Sequence, residues 1–448
     1  MKNRDLLIIV VFSAVVLLWG LGGGSLCSWD EGMYGGVARE IVKTNQWIDL
    51  RWGGLPWSDK PPLYMWMTAL FYMAFGVGEF SVRFFSALCG VGTVVVTYLL
   101  ARRLYSRKAA FCSALVLLST WHFIWSAKMG MLDVPLTFFT ILSIYLFKTG
   151  EEDKKRLFFA PLAFALAFLT KGAGALIIPI ILFLYMLFSG NLKTLKQPPL
   201  AWGISLAFAV LVWWHWTAFA HYGEGFVQDY FVKHLLTRTT QAVEGHSGDI
   251  LTYFGVIPNK GRPWAGIGFV LLPYMLWRIL KRGEKEHLIP VVWAGAILVI
   301  FSLVKTKLHW YVMPIYPPLA IMTGWAFGKL IGKHTVPVMC VIAAGAVGYL
   351  AVERDIFNLD YSPAIKQIAH DVVSNVPEGS RLYLYDISDP GMQFYLGEKG
   401  ENIRKNKLPE ALQPGKGFLI LNKRALSDLS EYRYSTVYEE SDFILIKP

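Results

Sequence analysis

The feature that most constrains this chain is a series of long apolar runs separated by short, often basic loops. A helix of roughly 20 apolar residues is long enough to cross the hydrocarbon core of a bilayer. Eleven candidate spans can be marked, at residues 6–26, 82–100, 109–127, 134–147, 157–170, 173–189, 200–219, 264–280, 288–304, 311–330 and 335–352. The chain is also 54% hydrophobic and 15% aromatic. These properties predict an α-helical polytopic membrane protein with about 11 transmembrane helices.

Basic loop residues alternate between the two sides of these candidate spans. They are concentrated in every second loop: Lys2 and Arg4, Arg102–Lys108, Lys154–Arg156, Lys193–Lys196, Arg278–Lys285 and Lys329–Lys333. Because cytoplasmic loops carry an excess of lysine and arginine, we expect these loops in the cytoplasm. Eleven spans then place the C-terminus outside the cytoplasm. The net charge of +11 therefore reflects membrane orientation and is not a signature of nucleic-acid binding.

The composition changes after about Glu353, where short β-rich runs alternate with candidate helices. Strands are predicted at 381–385, 418–421, 435–438 and 443–446, and helices at 363–374, 391–396 and 408–412. We therefore expect a small soluble α/β domain over 354–448, after a transmembrane domain over 1–353 with extracytoplasmic loops at 28–80 and 220–263. The sequence has no phosphate-cradling glycine loop or nucleotide fingerprint, which disfavours an enzyme that uses free nucleotide sugars.

The first extracytoplasmic loop concentrates unusual residues. Asp30 and Glu31 stand where the first span leaves the membrane, a place where charge is costly, and Tyr34 follows them. The amphipathic segment 35–44 is typical of a helix on the membrane surface. Lys60-Pro61-Pro62 closes the loop before the next apolar run. Taken singly, these residues would also suit a surface acidic pair and a turn stiffened by proline.

Taken together, Asp30-Glu31, Tyr34 and Lys60-Pro61-Pro62 resemble the first extracytoplasmic loop of the GT-C glycosyltransferases, which use polyprenyl-phosphate sugars. The likeness is to the branch of the lipid A aminoarabinose transferases and protein O-mannosyltransferases, and it covers about residues 5–330. It implies a GT-C fold, with Asp30 as the catalytic carboxylate and Glu31, Tyr34 and Lys60 in contact with substrate. The chain departs at Met33, where the aminoarabinose enzymes usually carry a basic residue, so the sugar and the acceptor stay open.

Two polar residues at the outer ends of spans extend the resemblance. Asp133 suits a helix N-cap, whereas the resemblance implies a second functional acid that helps Asp30. Lys171 stands in Leu169-Thr170-Lys171-Gly172, between two apolar runs. It could extend along the helix end towards water, whereas the resemblance implies that its ammonium binds a lipid phosphate.

Two outer loops supply the remaining candidate substrate-binding residues. In the 220–263 loop, Arg238 follows Tyr230 at a spacing similar to that of the family. Lys305, Lys307 and Tyr311 resemble the family pattern Lys-x-Lys-Leu-x-x-Tyr-x-x-Pro. Such residues can cradle a phosphate by charge and hydrogen bonds, and they also suit an interfacial anchor.

The resemblance also implies a metal site. In the aminoarabinose transferases, a histidine that matches His246 shares a zinc ion with the acid before Lys-Pro-Pro. That acid is Asp59 here, where the relatives have glutamate, and a shorter carboxylate can still bind zinc. No cofactor is expected to be obligatory, because monophosphate is a tolerable leaving group.

The resulting prediction is an enzyme of the bacterial inner membrane. It would transfer a sugar from polyprenyl (undecaprenyl) phosphate to a lipid (lipid A-like), glycan or protein acceptor at the outer face. A transporter or flippase of lipid-linked sugars, or a non-catalytic binder of them, is the alternative. A transporter would need a midplane site, usually between inverted repeats; the charges here cluster at one face, and the sequence shows no such repeat.

Overall fold

The computed structural model describes residues 2–237, 240–241, 245, 247–330, 334–397 and 399–448. The chain divides into two compact units. The first unit comprises Met1–Leu21, Ser58–Tyr64 and Arg83–Phe357, and the second comprises Gly22–Trp57, Met65–Val82 and Asn358–Pro448. The first extracytoplasmic loop is therefore divided at Trp57–Ser58, and most of it belongs to the same unit as the C-terminal residues.

The first unit is helical, and every predicted span overlaps a helix. Its longer helices are Lys2–Leu18, Glu79–Leu104, Arg107–Leu118, Trp121–Ala127, Asp133–Gly150, Phe159–Lys171, Ile177–Ser189, Pro198–Tyr222, Thr252–Lys260, Ala265–Arg282, Leu288–Leu303, Tyr316–Leu330 and Thr335–Arg354. The helix Glu79–Leu104 begins in the second unit. The first helix ends earlier than predicted, because the chain turns at Gly20 with φ +74° directly against the backbone of Phe357. A side chain at Gly20 would overlap the Phe357 carbonyl, so the helix cannot continue there.

Five helical segments of the described residues are long and apolar enough to cross a membrane, and a sixth is obtained if the pair Arg107–Leu118 and Trp121–Ala127, bent by 66°, is one span. One of the five, Lys154–Ser189, folds back on itself, since Tyr185 near its end bonds to Glu151 just before its start. The eleven-span count stays a prediction.

Polar contacts in the first unit join loops that the positive-inside pattern predicts on one side. Arg107 pairs with Asp5 at 2.5 Å, Arg103 pairs with Glu152, and Tyr105 Oη lies 2.8 Å from His287 Nδ1. Among residues predicted on the opposite side, Asp133 pairs with Lys171, and Thr306 donates to the Gln241 carbonyl. These contacts each join residues that the charge alternation predicts on the same side, and the orientation in the membrane stays a prediction.

The second unit contains the helix Asp30–Thr44, the two-stranded hairpin Arg51–Trp52 and Leu55–Pro56, most of the helix Leu63–Phe75, and a five-stranded sheet. The sheet order is Gly400–Ile403, Leu382–Tyr385, Phe418–Asn422, Phe443–Lys447 and Ser435–Glu440. The first three strands are parallel and the last two pairings are antiparallel. Both sheet faces are buried by apolar side chains, with the helices Pro363–Asn375 and Pro390–Leu396 on one face and Leu408–Ala411 on the other.

The predicted strands and helices of this sheet region are confirmed, with ends displaced by one or two residues. The strand Gly400–Ile403 was missed. Its sequence Gly-Glu-Asn-Ile is polar, and only Ile403 is buried, because the strand lies at the sheet edge.

Candidate active site

The helix Asp30–Thr44 presents the first carboxylates of the chain. Asp30 is half-buried and accepts a hydrogen bond from Tyr34 Oη, one turn later, at 3.1 Å. Glu31 is fully buried, and its Oε2 accepts from the backbone N–H of Cys27 at 2.8 Å. The accessible acid is therefore Asp30. Glu31 holds the backbone that enters the helix through this bond, and its predicted contact with substrate stays a prediction.

Contacts with the helix Pro390–Leu396 hold Asp30–Thr44 in place. Asp389 caps Pro390–Leu396 by accepting from Met392 N at 2.8 Å, and it also accepts from Ser28 Oγ at 2.9 Å. At the other end, Arg39 donates to the Phe394 carbonyl at 2.6 Å. Each end of the short helix is thus bonded to the segment that carries Asp30.

Asp133 and Lys171 form a buried ion pair in the first unit. Asp133 is 2% exposed and is the first residue of the helix Asp133–Gly150, one position after Leu132 at the N-cap. It accepts from Lys171 Nζ, which also lies 5.2 Å from the ring centroid of Tyr311. Three predicted site residues therefore meet in one cluster.

The turn after Lys171 brings this cluster next to Tyr230 and Pro61. Gly172 has φ +55°, and a methyl group added to it would lie 2.5 Å from Tyr230 Oη and 3.6 Å from Pro61 Cγ. Tyr230 is 7% exposed, and its buried hydroxyl has no hydrogen-bond partner among the described residues. The cluster thus combines an ion pair, two phenol rings and the Lys60-Pro61-Pro62 turn.

An apolar groove leads away from Tyr230. The rings of Phe226 and Phe231 lie 5.1 and 5.0 Å from the Tyr230 ring, measured between centroids. Both phenylalanines also line a groove of about 470 Å³ along the helix Pro198–Tyr222, with Phe208 and Trp216 among its other walls. A polar cluster at one end and an aromatic groove beside it suit a ligand with a charged head and an apolar tail.

The remaining predicted lysines differ in how they are held. Lys60 is half-buried, and its Nζ donates to the Asp59 carbonyl at 3.2 Å. Lys305 is exposed. Lys307 is 9% exposed, and its Nζ donates to the carbonyls of Phe301 and Ser302, both at 2.7 Å, at the end of the helix Leu288–Leu303. Burial lowers the pKa of Lys307. Its ammonium therefore caps the end of that helix, and its role in phosphate binding stays a prediction.

Two predicted residues, Arg238 and His246, lie outside the described residues, so the structure does not show whether His246 approaches Asp59. Within the described part of the chain, the group whose donor atoms could hold a metal is Glu284, Glu286 and His287. That group is remote in sequence from Asp59, and Arg278 already pairs with Glu284 at 2.6 Å. The predicted zinc site stays a prediction.

Sequence reasoning missed two buried cations and a pair of histidines. Arg83, 1% exposed, donates to the Leu21 carbonyl at 3.1 Å, and Lys128 donates to the Trp19 carbonyl. His122, also 1% exposed, lies 2.9 Å from His309 and 2.7 Å from Tyr316 Oη. A charge inside a predicted span was the signal that could have identified Arg83. The same signal applied to His122, which lies in the predicted span 109–127, whereas its pairing with His309, 187 residues away, could not be read from the sequence.

The sequence is similar to a known protein family and to bacterial relatives. Residues 59–216 match the family described as dolichyl-phosphate-mannose-protein mannosyltransferase. An uncharacterized protein of Aquifex aeolicus is 30% identical over 434 residues, which cover 96% of this chain and 95% of that protein. An undecaprenyl phosphate-α-4-amino-4-deoxy-L-arabinose arabinosyl transferase of Shewanella sediminis is 28% identical over 334 residues, 70% of this chain and 58% of that enzyme.

Solved structures with a similar fold lead to the same family as the sequence matches. The crystal structure of ArnT from Cupriavidus metallidurans bound to undecaprenyl phosphate superposes with a TM-score of 0.80 over 100% of this chain and 98% of that one, at 20% identity. The chain belongs to the GT-C family, in the branch of the aminoarabinose transferases and protein mannosyltransferases. The predicted GT-C fold is thereby confirmed, and the apolar helices and relatives make it a bacterial inner-membrane protein.

The matched regions include some of the candidate site residues and leave out others. The mannosyltransferase family match begins at Asp59, so it includes Lys60, Asp133 and Lys171 but not Asp30. The chain spans about 58% of the length of the aminoarabinose transferases it matches. Family membership therefore fixes the fold and the branch, and the reaction is argued below from the side chains.

Proposed function

We propose that this GT-C protein transfers a sugar from a polyprenyl monophosphate to an acceptor hydroxyl or amine at the outer face of the inner membrane. Lipid, glycan and protein acceptors all present such groups. In the reaction, the acceptor oxygen or nitrogen forms a bond to the anomeric carbon while the bond from that carbon to the phosphate oxygen breaks. The acceptor proton passes to a carboxylate, and the departing phosphate keeps the electron pair.

The observation that carries the proposal is the cluster of Asp133, Lys171, Tyr311 and Tyr230 beside an aromatic groove. The Lys171 ammonium lies beside a buried carboxylate and over a phenol ring, so it is held in one position before the donor binds. Fixed positive charge stabilises the charge that develops on a leaving phosphate without reorganisation during the reaction. The apolar groove from Phe231 along Pro198–Tyr222 suits the polyprenyl tail.

Lys60 and Lys305 are further candidates for the phosphate, because both have accessible side chains. Tyr230 is a candidate for a different reason. Its buried hydroxyl has no partner among the described residues, and such a group costs about 1–3 kcal/mol unless a ligand completes it. A donor phosphate that accepts from Tyr230 Oη would remove that cost.

Asp30 is proposed as the carboxylate that accepts the acceptor proton. It is accessible, and Tyr34 orients one of its oxygens while the other is available. Asp133, held by Lys171, is assigned to positioning that ammonium rather than to proton transfer. We also propose that the chain after Asp355 lies outside the cytoplasm, and that no divalent metal is obligatory, so a chelator should leave turnover within about twofold.

The test is an assay of purified protein in lipid nanodiscs with polyprenyl-phosphate sugars and an acceptor extract, following release of polyprenyl phosphate. General-base help is typically worth about 10²–10⁴-fold, so Asp30→Asn should reduce turnover by that factor and leave donor binding intact. Asp355→Asn is the matched control, because Asp355 is exposed and its left-handed backbone, φ 44°, accepts asparagine.

Two outcomes would contradict the proposal. A folded Asp30→Asn protein that transfers sugar at the wild-type rate would remove Asp30 from its role. Wild-type protein that moves lipid-linked sugar between leaflets without releasing polyprenyl phosphate would favour the transporter alternative.

A further inference from the structure

A second polar site lies wholly within the second unit. It is a cleft of about 680 Å³ between the later half of the helix Asp30–Thr44, the hairpin turn at Gly53–Gly54, and the edge strand Gly400–Ile403. This volume is within the range that small-molecule sites occupy. None of the candidate residues identified from the sequence lines it.

The cleft is lined by an unusual combination of side chains. Its charged residues are Arg39, Lys43, Arg381, Lys399, Glu40 and Glu401, a formal balance of two positive charges. Lys43, Arg381 and Lys399 are exposed. Arg39 is already bound to the carbonyls of the helix Pro390–Leu396. The three exposed cations can reach a ligand from solvent, although Arg381 also hydrogen-bonds to Tyr383.

An aromatic wall and two amides complete the cleft. The Trp52 indole stands against Gly36, where an added methyl group would lie 3.3 Å from Trp52 Cδ1, so glycine gives the ring its place beside the helix. Asn402 and Gln393 approach Gly53 from the other side. Gln393 Oε1 is buried and accepts from no described residue, which leaves an oxygen for a hydroxyl donor.

We propose that this cleft binds the anionic saccharide headgroup of the acceptor. A tryptophan face suits the apolar face of a sugar ring, amides suit its hydroxyls, and lysine and arginine suit phosphate or carboxylate groups. The assignment rests on the proposed transferase function. The cleft is placed for it, because Gly36 and Lys43 are 6 and 13 residues beyond Asp30 on one helix, about 9–20 Å along its axis. A saccharide headgroup bound at the Gly36 end would extend about 9 Å along the helix to bring its reacting group to Asp30.

The test measures binding without any donor, so that it is independent of transfer. Full-length protein in nanodiscs is titrated calorimetrically with a phosphorylated glucosamine disaccharide that lacks acyl chains. Parallel titrations use the same disaccharide without phosphate, inorganic phosphate alone, and an acidic peptide. Trp52→Ala and the pair Lys43→Glu with Lys399→Glu should each weaken binding of the phosphorylated disaccharide about tenfold or more.

Two controls separate contact from misfolding. Trp52→Phe keeps an aromatic face and should bind within about threefold of wild type. Arg433→Glu reverses a charge on an exposed residue of the same unit that does not line the cleft, and it should have no effect.

The outcomes are distinct. Loss of affinity in Trp52→Ala and the lysine pair, with both controls intact, supports the proposal even in a protein that fails to transfer sugar. Unchanged affinity in these variants overturns it, even where transfer is normal. Inorganic phosphate that binds as tightly as the phosphorylated disaccharide, or a peptide that binds when the disaccharide does not, also overturns the saccharide assignment.

Discussion

The contact between Gly172 and Tyr230 allows a double-mutant cycle that tests the donor site. Gly172→Ala adds a methyl group 2.5 Å from Tyr230 Oη and 3.4 Å from Cζ, at a residue with φ +55°. Tyr230 cannot move aside, because Phe226 stacks on it and Trp214 and Phe231 contact its edges. Overpacking costs about 1–3 kcal/mol, and an unfavourable backbone conformation costs about 1–3 kcal/mol more.

Tyr230→Phe removes the atom that clashes. Because Tyr230 Oη is buried without a described partner, its loss should leave the free energy of unfolding unchanged or raise it by about 1 kcal/mol. In the double variant Gly172→Ala with Tyr230→Phe, the steric part of the destabilisation should disappear and the backbone part should stay. The expected coupling energy is therefore at least about 1 kcal/mol.

The assay is denaturant unfolding of the four proteins in one detergent, combined with turnover. If Tyr230 Oη binds the donor phosphate, Tyr230→Phe should fold at least as well as wild type and still lose about tenfold in kcat/KM for the donor. Additive effects on unfolding, within about 0.5 kcal/mol, would refute the packing argument. Wild-type kcat/KM in Tyr230→Phe would refute the role in donor binding.

Three further predictions address other parts of the molecule. Lys307→Met should destabilise the fold by about 1–3 kcal/mol, since it leaves the Phe301 and Ser302 carbonyls uncapped, and it should leave donor KM unchanged; a raised KM would restore Lys307 as a phosphate ligand. Burial lowers the pKa of His309 to about 4. As the pH falls below about 6.5, the His309 imidazole is therefore protonated in the unfolded chain but stays neutral in the folded protein. This group alone should lower stability by about 2 kcal/mol between pH 6.5 and pH 4, and His309→Gln, measured by unfolding at both pH values, should reduce the slope by that amount. A reporter that is active only in the cytoplasm, fused after Pro448, should stay silent; activity would show that the orientation or the odd span count is wrong.

Local hydrophobic patterns predicted most helices and strands of this protein, and particular residues show why. A helix overlaps every predicted span, because uninterrupted apolar runs such as 288–304 leave the backbone no partner in a membrane except itself. The strand Gly400–Ile403 was missed because an edge strand needs few apolar side chains. The end of the first helix was misplaced because Gly20 turns against Phe357, a contact between residues over 300 positions apart.

For the candidate site, too, the sequence predicted some features and could not predict others. The pattern around Lys171 identified the residue but not its partner, since pairing with Asp133 depends on how two helices pack. The pattern Lys-x-Lys gave Lys305 and Lys307 the same predicted role. In the irregular segment that holds them, however, Lys305 is exposed and Lys307 is bound to helix carbonyls. Residue type predicts which chemistry is available, whereas burial and neighbours decide which residue can use it.

That distinction supports the roles proposed for Asp30 and Asp133. A general base must have an oxygen that can take a proton in the reaction, and its basicity falls when a cation stabilises its ionised form. Asp133 is almost fully buried and bound to the Lys171 ammonium, so protonating it would remove the counter-charge of that partly buried lysine. Asp30 is more accessible, and its described hydrogen bond comes from the neutral hydroxyl of Tyr34. The same carboxylate chemistry therefore favours proton transfer at Asp30 and positioning of a cation at Asp133.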